Sequence, residues 1–62
     1  MEFKDMIKAL REKMIISQDE LAKILVVSFV SVNRWENGHY EPTIKLKRRI
    51  VQLFKENGIE VN

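Results

Sequence analysis

Two helix-start signals, at Ser17 and Ser28, constrain this 62-residue chain more than any other feature, because they leave room for only one short helix between them. Ser17 is followed three residues later by Glu20. That spacing is a capping box, in which hydroxyl and carboxylate each accept from an amide that the first helical turn leaves unpaired. Ile16 before the cap and Leu21 after it have hydrophobic-staple spacing, and Asp19 and Glu20 put negative charge where the helix dipole favours it. Ser28 opens a further helix, with Val27 and Val32 in the same staple relation. Only Val26 and Val27 lie between the end of one helix and the cap of the next, so the two helices must cross sharply.

The rest of the chain also reads as helix. Phe3, Met6, Ile7, Leu10 and Met14 recur at spacings of three and four, which predicts a first helix over residues 2–13 with one apolar stripe. Leu21, Ala22, Ile24 and Leu25 are expected to form the buried face of the second helix. The third spans about 29–37, points Val32 and Trp35 to the core, and is ended by Gly38. Residues 39–42 form a loop. Thr43 caps a fourth helix over 44–56, with Ile44, Ile50, Val51, Leu53 and Phe54 as its apolar face and Gly58 as its stop. Ile59 and Val61 remain, too little for a further helix. The expectation is an all-α, compact bundle of four helices, or of five with the last truncated, forming one domain over residues 1–62.

Composition narrows what such a bundle can do. A domain this small buries only about 60% of the surface its unfolded chain exposes, so stability must come from packing and capping, with or without self-association. There is no cysteine, and the one histidine, His39, cannot build a metal site alone, so neither metal nor cofactor is expected. No paired carboxylates are recognisable, the serines serve as caps, and a bundle of this size has no room for a substantial ligand pocket, so the chain does not read as an enzyme. No apolar run is long enough to span a membrane, and the first residues alternate charged and apolar groups unlike a signal peptide; both point to the cytoplasm. The net charge of +2 is unevenly placed. Basic and acidic groups balance over residues 1–27. Residues 28–55 hold six basic groups (Arg34, Lys45, Lys47, Arg48, Arg49, Lys55) against two acidic ones (Glu36, Glu41). That surplus is either a polyanion-binding side or a lysine-rich solvated face.

The unit over residues 17–37 has the geometry of a helix-turn-helix, and the outward side of its second helix offers Phe29, Val30, Asn33 and Arg34, a surface suited to a major groove. The runs Ser17-Gln18-Asp19-Glu20-Leu21-Ala22, Val27-Ser28, Val32-Asn33-Arg34-Trp35-Glu36-Asn37-Gly38 and Glu41-Pro42 resemble the Cro/C1-repressor (XRE-type) helix-turn-helix family, over about residues 5–57. The resemblance implies a lambda-repressor-like fold that binds double-stranded DNA, usually as a homodimer, in repressors, other bacterial regulators and antitoxins.

It also implies roles by position. Gln18 approaches a phosphate and the recognition helix, an ordinary first-turn helix residue being the alternative. Ser28 caps that helix and its free amides attract phosphate. Phe29 and Val30 hold the leading base-reading positions, where apolar side chains suit thymine methyls; the alternative is that Phe29 folds back onto the core. Ser31 bonds a base edge or phosphate, or is merely solvated. Asn33 is suited to adenine and Arg34 to guanine or phosphate, a solvated polar face being the alternative for both. Asn37 and the backbone around His39 and Tyr40 lie near the DNA backbone, unless Asn37 only finishes the helix. Lys45 and Lys47 add phosphate contacts, whereas Arg48 and Arg49 serve a solvated face. Arg11 and Glu36 match an internal ion pair that ties the first helix to the third. Trp35 is core.

Two departures stand out. Val26 occupies a turn position where the family carries glycine, so either the turn is reshaped or a β-branched residue carries strain. The fifth helix, which often closes the core or forms the dimer surface, has no counterpart, which leaves residues 59–62 to pair as an edge segment. A second reading of function is a protein-interaction module, such as the DNA-binding antitoxin of a toxin–antitoxin pair, in which Phe29 and Val30 dock a toxin or another regulator.

Overall fold

The apolar stripes become the inner faces of helices. The computed structural model describes residues 2–59, in which four helices follow one another: α1 (Phe3–Met14), α2 (Gln18–Leu25), α3 (Phe29–Glu36) and α4 (Ile44–Glu56), with no strand among the described residues. Helix α3 packs against both α1 and α2, and α4 closes on α2. The core is made of Met6, Ile7 and Leu10 from α1, Leu21, Ala22 and Leu25 from α2, Val32 and Trp35 from α3, and Ile50 and Phe54 from α4. Phe3, Met14, Ile16, Val27, Leu46, Val51, Leu53 and Ile59 pack around its edge, and the Phe3 and Phe54 rings meet edge to face at 5.9 Å. The Cα radius of gyration is 10.3 Å, close to the roughly 10.6 Å that compact domains of this length have.

The helix starts are as the sequence predicts. The Ser17 hydroxyl accepts from the Glu20 amide and the Glu20 carboxylate from the Ser17 amide, which completes the capping box. Ser28 and Thr43 accept from the amides of Ser31 and Leu46.

The helix ends hold a finding that periodicity does not reveal. All four helices close with the same pair of backbone bonds, a Schellman motif. Ile15 and Ile16 donate to Glu12 and Arg11, Val26 and Val27 to Lys23 and Ala22, Gly38 and His39 to Trp35 and Arg34, and Gly58 and Ile59 to Lys55 and Phe54. The first residue of each pair is left-handed. In two motifs it is glycine, with φ of 76° at Gly38 and 73° at Gly58; in the other two it is β-branched, with φ of 56° at Ile15 and 58° at Val26. The turn at Val26 is therefore not reshaped, and the valine carries the strain. Ile15 does the same at the end of α1.

Four expectations change. Ile24 is not part of the buried face of α2 but 40% exposed, and Ile44 is 72% exposed at the start of α4. Neither lies on the inward arc of its helix. Arg49 does not merely cover a solvated face: its guanidinium donates to the Leu25 and Ile24 carbonyls at 3.2 and 3.3 Å. A cation there meets the negative end of the α2 dipole. Finally, the bundle does leave an open cleft of 320 Å³, bounded by Glu2, Phe3 and Lys4 on one side and Trp35, Gly38, Tyr40 and Glu41 on the other. That volume is at the small end of the range of about 300–1,000 Å³ seen for ligand sites. The expected edge pairing of residues 59–62 falls largely outside the described residues. Among the described residues no helix is long and apolar enough to cross a membrane.

Candidate nucleic-acid interface

Helix α3 has two chemically opposed sides. Val32, Trp35 and Glu36 are buried; Phe29, Val30, Asn33, Arg34 and Asn37, each three or four residues from another of the set, lie on the other side. Trp35 is core, 6% exposed. Phe29 does not fold back onto the core: it is 48% exposed and Val30 is 50% exposed.

The buried side carries a charge that locks the helix. Glu36 is 3% exposed and receives two hydrogen bonds from Arg11, Nε to Oε2 at 2.5 Å and Nη2 to Oε1 at 2.8 Å. A third donor of Arg11 reaches the Ile16 carbonyl at 3.4 Å. The fork of parallel bonds fixes direction as well as distance, so α3 is held against α1 at one rotation about its own axis. The hydrogen bond to Glu36 raises the Arg11 pKa above its ordinary value, against the opposing effect of burial.

The exposed side is organised by a relay of amides. Asn33 Nδ2 donates to Gln18 Oε1 at 3.2 Å across the α2–α3 junction, and Asn37 Nδ2 donates to Asn33 Oδ1 at 3.0 Å and to its carbonyl oxygen at 2.9 Å. Three of the residues singled out in the sequence are thus one connected unit. Asn33 is engaged at both ends of its amide, which leaves it one further amide proton and one lone pair. At the start of the helix the Ser28 and Ser31 hydroxyls lie 3.1 Å apart and bond each other.

Beyond Gly38 the loop turns back under the helix. A Cβ at Gly38 would stand 3.2 Å from Cδ of Lys4, in addition to the cost of its positive φ, so glycine lets this loop lie against α1. The loop brings the exposed Tyr40 ring beneath Arg34, whose guanidinium carbon lies 5.2 Å from the ring centroid. His39 is exposed beside it. Lys47 binds Glu41 at 2.6 Å and lies 5.5 Å from the Phe3 ring, so it is tied to the bundle. Lys45 is exposed. Sequence reasoning missed the stacking of Arg34 on Tyr40 and the reach of Arg49 to α2, since both cross a loop and carry no periodic signal. The i, i+4 spacing of Asn33 and Asn37 could have revealed their part of the relay.

The outer side of α3 itself bears amide, hydroxyl, guanidinium and apolar groups and no carboxylate, because the only acidic residue of α3 is the buried Glu36. In a comparison with family models, one described as helix-turn-helix, of the Cro/C1 type, matches residues 7–59. No curated protein and no solved structure matches the chain.

Proposed function

Because the chain belongs to the Cro/C1-type (XRE) helix-turn-helix family of DNA-binding regulators, we propose that it binds double-stranded DNA sequence-specifically, with α3 in the major groove, and acts as a transcriptional repressor in the cytoplasm. The observation that carries this reading is the carboxylate-free outer face of α3, held at one rotation by the buried Arg11–Glu36 fork. A polyanion with hydrogen-bonding groove edges is its natural complement.

In this reading Arg34 meets a guanine edge or a phosphate. Gln18, Asn37 and the loop at His39 and Tyr40 meet the sugar–phosphate backbone, and Ser28 and Ser31 do so at the start of the helix. Asn33 spaces Gln18 and Asn37 and offers its remaining amide proton and lone pair to a base. The family is one of DNA-binding domains, typically without enzymatic activity, and no catalytic step belongs to this reading. A homodimer would bind two half-sites related by two-fold symmetry, about one helical turn apart. The half-exposed Phe29 and Val30 favour a second reading, in which they dock a protein partner such as a toxin or another regulator.

The test is selection of the purified chain on a random duplex library at two salt concentrations, followed by sequencing. Enrichment of one motif, with affinity that falls steeply with salt through counterion release, is expected. A two-fold-symmetric motif would indicate the dimer and a short asymmetric one a single reader. No enrichment at low salt would overturn the reading and favour the protein partner.

A further inference from the structure

The cleft beside Gly38 plays no part in the DNA-binding reading, yet its lining is chemically specific. Its volume of 320 Å³ is about ten times the roughly 30 Å³ that one water occupies, so it holds a ligand of about ten non-hydrogen atoms. Phe3 from α1, Trp35 from α3 and Tyr40 from the loop border it, three of the five aromatic residues of the chain. Aromatic ring faces attract positive charge. Two carboxylates, Glu2 and Glu41, stand at the rim. Each gives one oxygen to a lysine: Glu41 Oε1 receives Lys47 at 2.6 Å, and Glu2 Oε2 lies 3.6 Å from Lys4. Among the described residues the other oxygen of each has no partner, and an ionised carboxylate accepts at both. Lys4 is a cation already in the cleft. Its stem lies against Gly38, with Cδ 3.2 Å and Nζ 3.9 Å from where a Cβ would stand there. It is loosely held, because 3.6 Å is longer than a hydrogen bond.

We propose that this cleft is a binding site for a small organic ammonium ion, an amine with an apolar body. The body packs on the aromatic lining, and the ammonium displaces that of Lys4 and pairs with the rim carboxylates. A cation is selected over an anion because the lining holds two carboxylates, Glu2 and Glu41, against one ammonium, Lys4. It is selected over a neutral ligand because both the rings and the open carboxylate oxygens favour positive charge. Tyr40 borders the cleft and also carries Arg34, so the site adjoins the candidate interface without being part of it. Its occupation requires no DNA.

The test is titration of the full chain with phenethylammonium, beside phenethyl alcohol and phenylacetate as neutral and anionic probes of similar size. Trp35 is the only tryptophan of the chain and borders the cleft, so its fluorescence and indole N–H resonance report occupation directly. Phenethylammonium is expected to give a saturable change. The alcohol should bind about tenfold more weakly, the product of two exposed charge contacts at roughly two- to fivefold each, and phenylacetate more weakly still. Glu2→Gln and Glu41→Gln together should cost phenethylammonium about the same tenfold and leave the alcohol unchanged. Lys4→Met keeps a stem over Gly38 and removes the competing ammonium, so it should strengthen binding about two- to fivefold. Helical content by circular dichroism should be unchanged in all variants, because the replaced carboxylates are exposed and the Lys4 ammonium holds no hydrogen bond. A Trp35 signal that never saturates with phenethylammonium would overturn the site. Equal affinity for all three probes would overturn its selectivity for a cation. Undiminished binding in the doubly substituted variant would overturn the role of the two carboxylates, and unchanged binding in Lys4→Met the displacement of Lys4.

Discussion

Replacing Ile15 and Val26 with glycine is expected to stabilise the protein, although both changes delete apolar side chains. Each residue sits at a left-handed position that closes a Schellman motif, where an L side chain costs about 1–2 kcal/mol. Glycine removes that strain. It also frees the unfolded chain, which costs about 0.4–1 kcal/mol. The lost burial is small, because Ile15 is 89% and Val26 is 81% exposed; a fifth or less of the roughly 1.5–3 kcal/mol for burying such a side chain is at stake. The balance is a gain of about 0.5 kcal/mol per site. Ile15 closes α1 and Val26 closes α2; the whole of α2, about 12 Å long at 1.5 Å per residue, lies between them in the chain, so the gains should add. The double variant should gain about 1 kcal/mol, which for a domain of this size raises Tm by about 4–8 °C. Thermal melts of wild type, Val26→Ala, Val26→Gly and the double glycine variant provide the assay. Alanine keeps a Cβ and hence most of the strain, so only glycine should raise Tm. A glycine variant that melts lower than wild type would refute the strain argument.

The Arg11–Glu36 pair should respond asymmetrically to truncation. Arg11→Ala strands a carboxylate that is 3% exposed, at a cost of about 3–5 kcal/mol, a large part of the roughly 3–9 kcal/mol a chain this size has at 0.05–0.15 kcal/mol per residue. Glu36→Gln keeps an acceptor and leaves Arg11, 24% exposed, able to reach water, so it should cost about 1–2 kcal/mol; equal costs in urea titrations would contradict the burial argument. Because the Arg11 pKa is raised in the folded state, its contribution is complete below the ordinary arginine value and lost only above it, so neutral-range melts should show no pH dependence from this side of the pair. At the proposed interface, Tyr40→Ala should weaken specific DNA binding about two- to fivefold, the range for an exposed cation–π contact, and Tyr40→Phe should not. A phenylalanine variant as weak as the alanine one would show that the hydroxyl, not the ring, is what matters.

Most of the fold was legible because its signals are local. Caps at Ser17, Ser28 and Thr43 act within one helical turn, and the stripes of α1 and α3 repeat at helical spacing, so neighbouring residues alone announce them. The pairing of Arg11 with Glu36 was expected from resemblance rather than from spacing, since nothing local links residues in different helices. The burial of Ile24 and Ile44 was misjudged for a related reason. Periodicity says which residues share a face but not how wide an arc the neighbouring helices cover. Val26 shows the limit most plainly. Its left-handed conformation runs against its own preference and is imposed by the closing bonds of α2 and the short path to α3.

By itself, the sequence determined four helices, their starts, and which side of α3 turns outward, because capping and amphipathic spacing are properties of consecutive residues. Only the tertiary structure decided what the outward side chains do to one another. It joined Gln18, Asn33 and Asn37 in a relay, set Arg34 on Tyr40, brought Arg49 to the end of α2, and left Phe29 and Val30 half exposed. The physical reason is that a hydrogen bond or a stacked ring needs a partner within a few ångströms, and which groups come that close is set by how the helices pack.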